Sequence, residues 1–133
     1  MTAVPVHPGL FHTAADGTVS LLGARCRHCG RHHFPAADAC PYCSSREVEA
    51  ASLSPTGTLW AWTTVRTAPP GYEGPVPFGV GVVELPEGVR GITRLELDGV
   101  DEPRFAMPMR AGVAVLGPND DGDTVVTYTF TPA

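Results

Sequence analysis

Four cysteines, Cys26, Cys29, Cys40 and Cys43, stand as two C-x-x-C pairs, Cys26-Arg27-His28-Cys29 and Cys40-Pro41-Tyr42-Cys43, and they are all the cysteines of the chain. Each pair lets two thiolates converge on one ion. Two pairs complete a tetrahedron with metal–sulfur bonds of about 2.3 Å, the arrangement zinc takes in structural sites. Gly30, directly after the first pair, supplies the backbone freedom such a knuckle uses. The interval between the pairs is shorter than the roughly 15–20 residues common in zinc modules, which suits a compact ribbon hairpin. Two disulfides, or a thioredoxin-like redox pair, are the competing uses of the same residues. An expected reducing, cytoplasmic location and the absence of a βαβ pattern around either pair favour the metal. Four protein ligands leave no open position for water, so such an ion stabilises the fold and activates no nucleophile.

The rest of the chemical inventory is thin. No free thiol, no G-x-S-x-G elbow and no H-E-x-x-H pair remains. All nine basic residues are arginines, and the missing lysine removes Schiff-base chemistry and the phosphate-loop motif. His28, His32 and His33 read as surface or partner-facing side chains, with a stand-in metal ligand as one alternative and, for His32 or His33, a role in an independent hydrolase or hydratase as another. Gly79-Val80-Gly81 begins like a dinucleotide fingerprint, but Glu84 stands at the third glycine position and the segment reads as a strand. Asp120, Asp121 and Asp123 lack the spacing of a calcium loop and read as a solvated turn. Glu84, Glu96 and Asp98 show no sign of converging for acid–base work.

These residues need elements to hold them. The chain has 133 residues, a formal net charge of −5, 15 glycines and 14 prolines, which points to short extended segments joined by many turns. Residues 1–18 read as an N-terminal arm, 19–54 as the cysteine-bearing ribbon and 55–133 as a β-barrel. The ribbon cannot bury a core of its own and needs a staple. Five strand candidates follow Pro55: GTLWAWTTVR, VPFGVGVVEL, VRGITRLEL, GVAVLG and DTVVTYTF. Alternation places Trp60, Trp62 and Thr64 on one face of the first of these, with Leu59, Ala61 and Thr63 on the other. Pro86-Glu87-Gly88 and Asn119-Asp120-Asp121-Gly122 signal hairpins, and residues 98–110 read as an irregular loop. The expected fold is mainly β, a zinc ribbon followed by a five-stranded Greek-key barrel of the OB type, with an SH3-like barrel as the alternative. No run of about 20 apolar residues is present to span a bilayer.

The segments LLGARCRHCGRHHFPAADACPYC, SPTGTLWAWTTV, PPGYEGPVPFGVGVVEL and RFAMPMRAGVAV together resemble acyl-CoA-associated proteins built from a rubredoxin-like zinc ribbon and an OB-fold. The similarity runs from about Leu21 to the C-terminus. The resemblance implies structural Zn2+ on the four cysteines and no catalytic residue in this chain. It also implies an accessory role in a hetero-oligomer with a thiolase-superfamily partner, a thiolase or a lipid-transfer-protein-like aldolase. A coenzyme A thioester would lie at the partner interface, with Arg25, Arg27 and Arg31 as candidates for its phosphate. The loop 68–72 suits an interface, since Pro is rigid and Tyr gives large contact area. Competing readings are a subunit of a MaoC-like enoyl-CoA hydratase complex and a single-stranded nucleic-acid module stacking bases on Trp60, Trp62, Tyr72 and Phe78. The acidic balance opposes the nucleic-acid reading.

Overall fold

A computed structural model describes residues 3–5, 9–71, 76–97 and 103–133. Among them ten β-strands form and no helix does. They are β1 (Ala3–Pro5), β2 (Phe11–Thr13), β3 (Val19–Cys26), β4 (His32–His33), β5 (Val48–Ser52), β6 (Thr56–Val65), β7 (Phe78–Glu84), β8 (Arg90–Leu95), β9 (Pro108–Pro118) and β10 (Thr124–Pro132). No described helix is therefore long and apolar enough to cross a membrane.

The last five strands close on themselves. The pairs β6–β7, β7–β8, β6–β9 and β9–β10 are antiparallel, and the seam β8–β10 is parallel. This order is the Greek-key connectivity of the OB barrel. The ribbon is built around β3, which pairs antiparallel with β2, β4 and β5. The stretch before Val19, expected to lie as an arm, supplies β2 to that sheet and β1 as a parallel neighbour of β10.

One hydrophobic cluster serves both parts. Val19, Leu21 and Leu53 of the ribbon pack with Leu59, Val83, Leu95, Met109 and Phe130 of the barrel. Alternation along β3 turns Val19 and Leu21 inward. The ribbon's Phe11 and Phe34 meet the Tyr128 ring edge-on, with centroids 6.4 and 5.7 Å away, a geometry the ring quadrupoles favour. A polar stitch closes the same junction: one Glu87 carboxylate oxygen accepts the Ser54 N–H at 3.0 Å and the Ser54 hydroxyl at 2.8 Å.

Both expected hairpins form. The Leu85 N–H donates to the Val89 carbonyl across Gly88, whose φ of +88° needs glycine. At the other turn the Asn119 side chain accepts the N–H groups of Asp121 and Asp123, so the acidic run is a capped turn. The segment Gly79-Val80-Gly81 lies inside β7, as expected. A Cβ on Gly81 would strike the Ala61 carbonyl oxygen and lie 2.8 Å from Leu95, so close packing selects glycine there.

Two expectations about the barrel strands fail. β9 begins at Pro108, not at Gly112, because Met107, Met109 and Ala111 alternate into the core while Pro108, which lacks an N–H, opens the strand facing outward. Trp60 and Trp62 do not share a face. Register in β6–β7 shifts between Leu59 and Ala61, so Trp60 and Ala61 together oppose Val82 and Trp62 stands opposite Gly81. This β-bulge moves every later side chain to the other side of the sheet.

The shared core has a measurable consequence. Leu21→Ala, although made in the ribbon, will lower stability by about 2–5 kcal/mol. Urea unfolding followed by the barrel's tryptophan fluorescence will shift to lower urea as one transition. An unchanged tryptophan transition would show that the ribbon unfolds by itself.

Candidate metal centre and the surfaces around it

The two cysteine pairs are built by the same backbone turn. In the first, the Cys26 N–H donates to the Arg31 carbonyl at 2.9 Å and the Gly30 N–H donates back to the Cys26 carbonyl at 2.9 Å. In the second, the Cys40 N–H donates to the Ser45 carbonyl at 2.8 Å and the Ser44 N–H to the Cys40 carbonyl at 2.9 Å. Each turn places its fifth residue in the left-handed region, Gly30 at φ +80° and Ser44 at +66°. Backbone N–H groups also point at sulfur: that of Cys29 lies 3.4 Å from Cys26 Sγ and that of Tyr42 3.4 Å from Cys40 Sγ.

All four sulfurs lie within 4.8 Å of one another. The closest approaches, Cys26 to Cys43 and Cys29 to Cys40, are 3.6 Å. A disulfide would set sulfurs at about 2.05 Å, whereas a regular tetrahedron with 2.3 Å bonds to zinc sets them about 3.8 Å apart. No disulfide forms, and the closest pairs join one knuckle to the other. The donor set therefore fits a four-coordinate structural zinc.

The thiols bias one another's protons. Cys26 is drawn down to about 6, chiefly by the Cys29 N–H aimed at its sulfur. Cys40 is also lowered: burial opposes ionisation there, but the N–H groups of Tyr42 and Cys43 prevail. At Cys43 the Ser45 N–H pulls down, yet burial and the neighbouring sulfurs of Cys26, Cys40 and Cys29 push it up to about 12. Early thiolates attract a cation, and the last proton leaves only against that cation's charge.

The other candidates scatter. Arg25 pairs with Glu49 at 3.5 Å and Arg31 lies over the Tyr42 ring at 4.8 Å, whereas Arg27 is exposed beside them. His32 and His33 are consecutive on β4; His33, expected at the surface, is instead buried, because its register opposite Ala24 turns it inward, and among the described residues neither of its ring nitrogens has a hydrogen-bond partner. No acid–base relay runs through either. Glu84 is held by Arg90 at 2.7 Å and Glu96 by Arg94 at 3.4 Å, so these carboxylates meet guanidinium groups and not each other. Asp98 and Tyr72 lie outside the described residues. Arg90 covers the Trp60 ring at 4.3 Å and Arg94 that of Phe78 at 4.9 Å. Register sets Trp62 on the opposite side of the sheet from Trp60, so among the described residues these two exposed rings form no common stacking platform.

Two exposed residues escaped the sequence reading. Phe105 sits on a turn beside Ala106, a non-glycine residue at φ +67°. Ile92 is exposed on the outer face of β8. Its position midway between Arg90 and Arg94 in an alternating strand was the available signal.

A four-cysteine ribbon packed onto a closed five-stranded barrel defines a zinc-ribbon/OB-fold protein. Comparison makes the assignment narrower. Residues 20–49 match the rubredoxin-like zinc ribbon domain of ChsH2, and residues 50–114 its C-terminal OB-fold domain. The chain is 33% identical over 112 residues to a DUF35 domain-containing scaffold protein of Methanocaldococcus jannaschii, covering 83% of this chain and 78% of that one. It is 32% identical over 125 residues to the benzoylsuccinyl-CoA thiolase subunit BbsA of Thauera aromatica, covering 93% and 85%. Among solved structures, the Ltp2-ChsH2(DUF35) aldolase matches with a TM-score of 0.64 and 25% identity over 85% of this chain and 84% of that one. The chain belongs to the ChsH2-type DUF35 family of zinc-ribbon/OB-fold proteins.

The equivalence of the two turns can be tested. Ser44→Gly will raise stability by about 0.5–1 kcal/mol by relieving the left-handed backbone, and Gly30→Ala will lower it by about 1 kcal/mol or more. Urea midpoints on the zinc-loaded chain decide it, and a loss of stability in Ser44→Gly would contradict the equivalence. Zinc counted by mass spectrometry will be one per chain, and it will fall as acid protonates the thiolates.

Proposed function

We propose that this chain is a noncatalytic accessory subunit that holds and stabilises a thiolase-superfamily enzyme, of the thiolase or retro-aldolase type, acting on acyl-CoA substrates. One observation carries the reading: an apolar, aromatic band lies exposed across the outer barrel while no catalytic constellation assembles among the described residues. Ile92, 72% exposed, pairs with Val82, and Val82 opposes the bulged Trp60, 42% exposed. On the far side of β6, the Ala106 N–H donates to the Leu59 carbonyl and fixes the turn that presents Phe105, 66% exposed. Holding Ala106 in the left-handed region costs about 1–2 kcal/mol, and such strain persists where surroundings impose it, often at binding surfaces. Aromatic residues with a stacked arginine are what the centres of protein interfaces favour.

The relatives support the same role, since one is a subunit of a thiolase, one a scaffold protein and one belongs to the Ltp2-ChsH2(DUF35) aldolase. In this reading the coenzyme A thioester lies at the partner interface. Arg27, flanked by Arg25 and Arg31, is the proposed phosphate contact, because its guanidinium has no ion pair among the described residues. A reducing cytoplasm is the matching location, where free thiols persist.

The test is co-purification of the tagged chain from its native cell, with partners identified by mass spectrometry. A thiolase-superfamily protein will be recovered in near-equal amount, and the double change Trp60→Ser with Phe105→Ser will weaken the association at least about tenfold with zinc content and thermal melt retained. Recovery of the wild-type chain alone would defeat the subunit reading. Undiminished association of the double variant would defeat the role of the band.

A further inference from the structure

A cleft of about 610 Å3 runs along the junction of ribbon and barrel, in the size range of small-ligand sites. Strand register builds one of its walls. Arg110 of β9 stands directly between Thr56 of β6 and Thr131 of β10, so hydroxyl, guanidinium and hydroxyl form one row across three strands. Met109 and Ala111 on either side are buried in the core, which turns Arg110 to the outer face. The turn from β2 to β3 completes the lining with Thr13, Asp16 and Thr18.

Arg110 differs from the other arginines of the barrel sheet. Arg90 and Arg94 each lie on a carboxylate and an aromatic ring. Among the described residues Arg110 has neither an ion pair nor a hydrogen bond, although it lines the cleft. Asp16 lines the same cleft without forming an ion pair with it. Its carboxylate instead accepts the Thr18 backbone N–H at 3.0 Å, which holds it below the usual carboxylate range and so keeps it charged. The cleft therefore presents a five-donor fork, unpaired among the described residues and flanked by two hydroxyls, together with a carboxylate acceptor in its lining.

We propose that this cleft is a binding site for a small-molecule oxyanion, a carboxylate or a phosphate, held by Arg110 with Thr56 and Thr131. Planar, bidentate recognition is what a guanidinium offers such groups, and Asp16 selects ligands that carry a hydrogen-bond donor opposite the anion. The site lies wholly within this chain, so it stands or falls independently of the partner enzyme.

The experiment uses the full zinc-loaded chain in proton–nitrogen correlation spectra at low ionic strength, titrated separately with inorganic phosphate and with succinate. Saturable shifts at the Thr56, Arg110 and Thr131 amides are expected, with a dissociation constant on the order of 1 mM. The probe that saturates at lower concentration identifies phosphate or carboxylate as the preferred group. Arg110→Gln will weaken binding at least tenfold while leaving distant signals in place. Asp16→Asn will tighten it by about threefold through relief of repulsion, an opposite sign that keeps the test decisive should Arg110→Gln perturb the barrel. Absence of saturable shifts, shifts centred on Arg25, Arg27 and Arg31, or an unchanged constant in Arg110→Gln would each overturn the site.

Discussion

The structure depends on one strand used at both ends. β3 sends Val19 and Leu21 into the barrel core and finishes at Cys26, the first of the four clustered thiols. A ribbon of this size has too little apolar surface to fold unaided, so the metal fastens its tip and the barrel covers its base. Tyr128 completes the cover: its ring receives Phe11 and Phe34, and its hydroxyl donates to the Ile92 carbonyl at 3.0 Å. Metal site and barrel are therefore parts of one packing unit.

Local signals in the sequence went far. The spacing of the cysteines, the alternation after Pro55 and the two turn motifs were enough to outline a ribbon and a five-stranded barrel, because each is written within a few neighbouring residues. What escaped was non-local. The bulge at Trp60 inserts one residue against Val82, and nothing in an uninterrupted alternating run announces it. The start of β9 hid behind Pro108, a residue that reads as loop but can open a strand whose N–H is not needed. The row Thr56–Arg110–Thr131 joins residues far apart in sequence, and only register brings them together. Burial of His33 follows from how β4 lies against β3, which two residues of strand cannot foretell.

The bulge also decides which aromatic surface the protein offers. Without the extra residue, Trp60 and Trp62 would stand side by side as a flat stacking surface. With it, Trp60 joins Val82 and Ile92 outside while Trp62 lies over Gly81, at a point where a larger residue could not fit. Four of the nine arginines show a similar division: Arg90 and Arg94 stack on rings in the barrel sheet, Arg31 covers Tyr42 at the ribbon tip, and Arg110 lines the junction cleft with no ion pair among the described residues. An acidic protein with few cations thus assigns them to distinct surfaces.

The order of ribbon before barrel along the chain has a consequence for synthesis. The barrel closes only when β10 bonds to β8 and β9, and the ribbon's apolar base is covered only when Tyr128 and Phe130 arrive. All four cysteines lie in the first third of the chain, so they leave the ribosome long before that cover exists. A nascent chain can gather its metal while Leu21 and Leu53 are still exposed to water. The cation then preserves the ribbon's shape through the interval in which the growing polypeptide has no core to lean on.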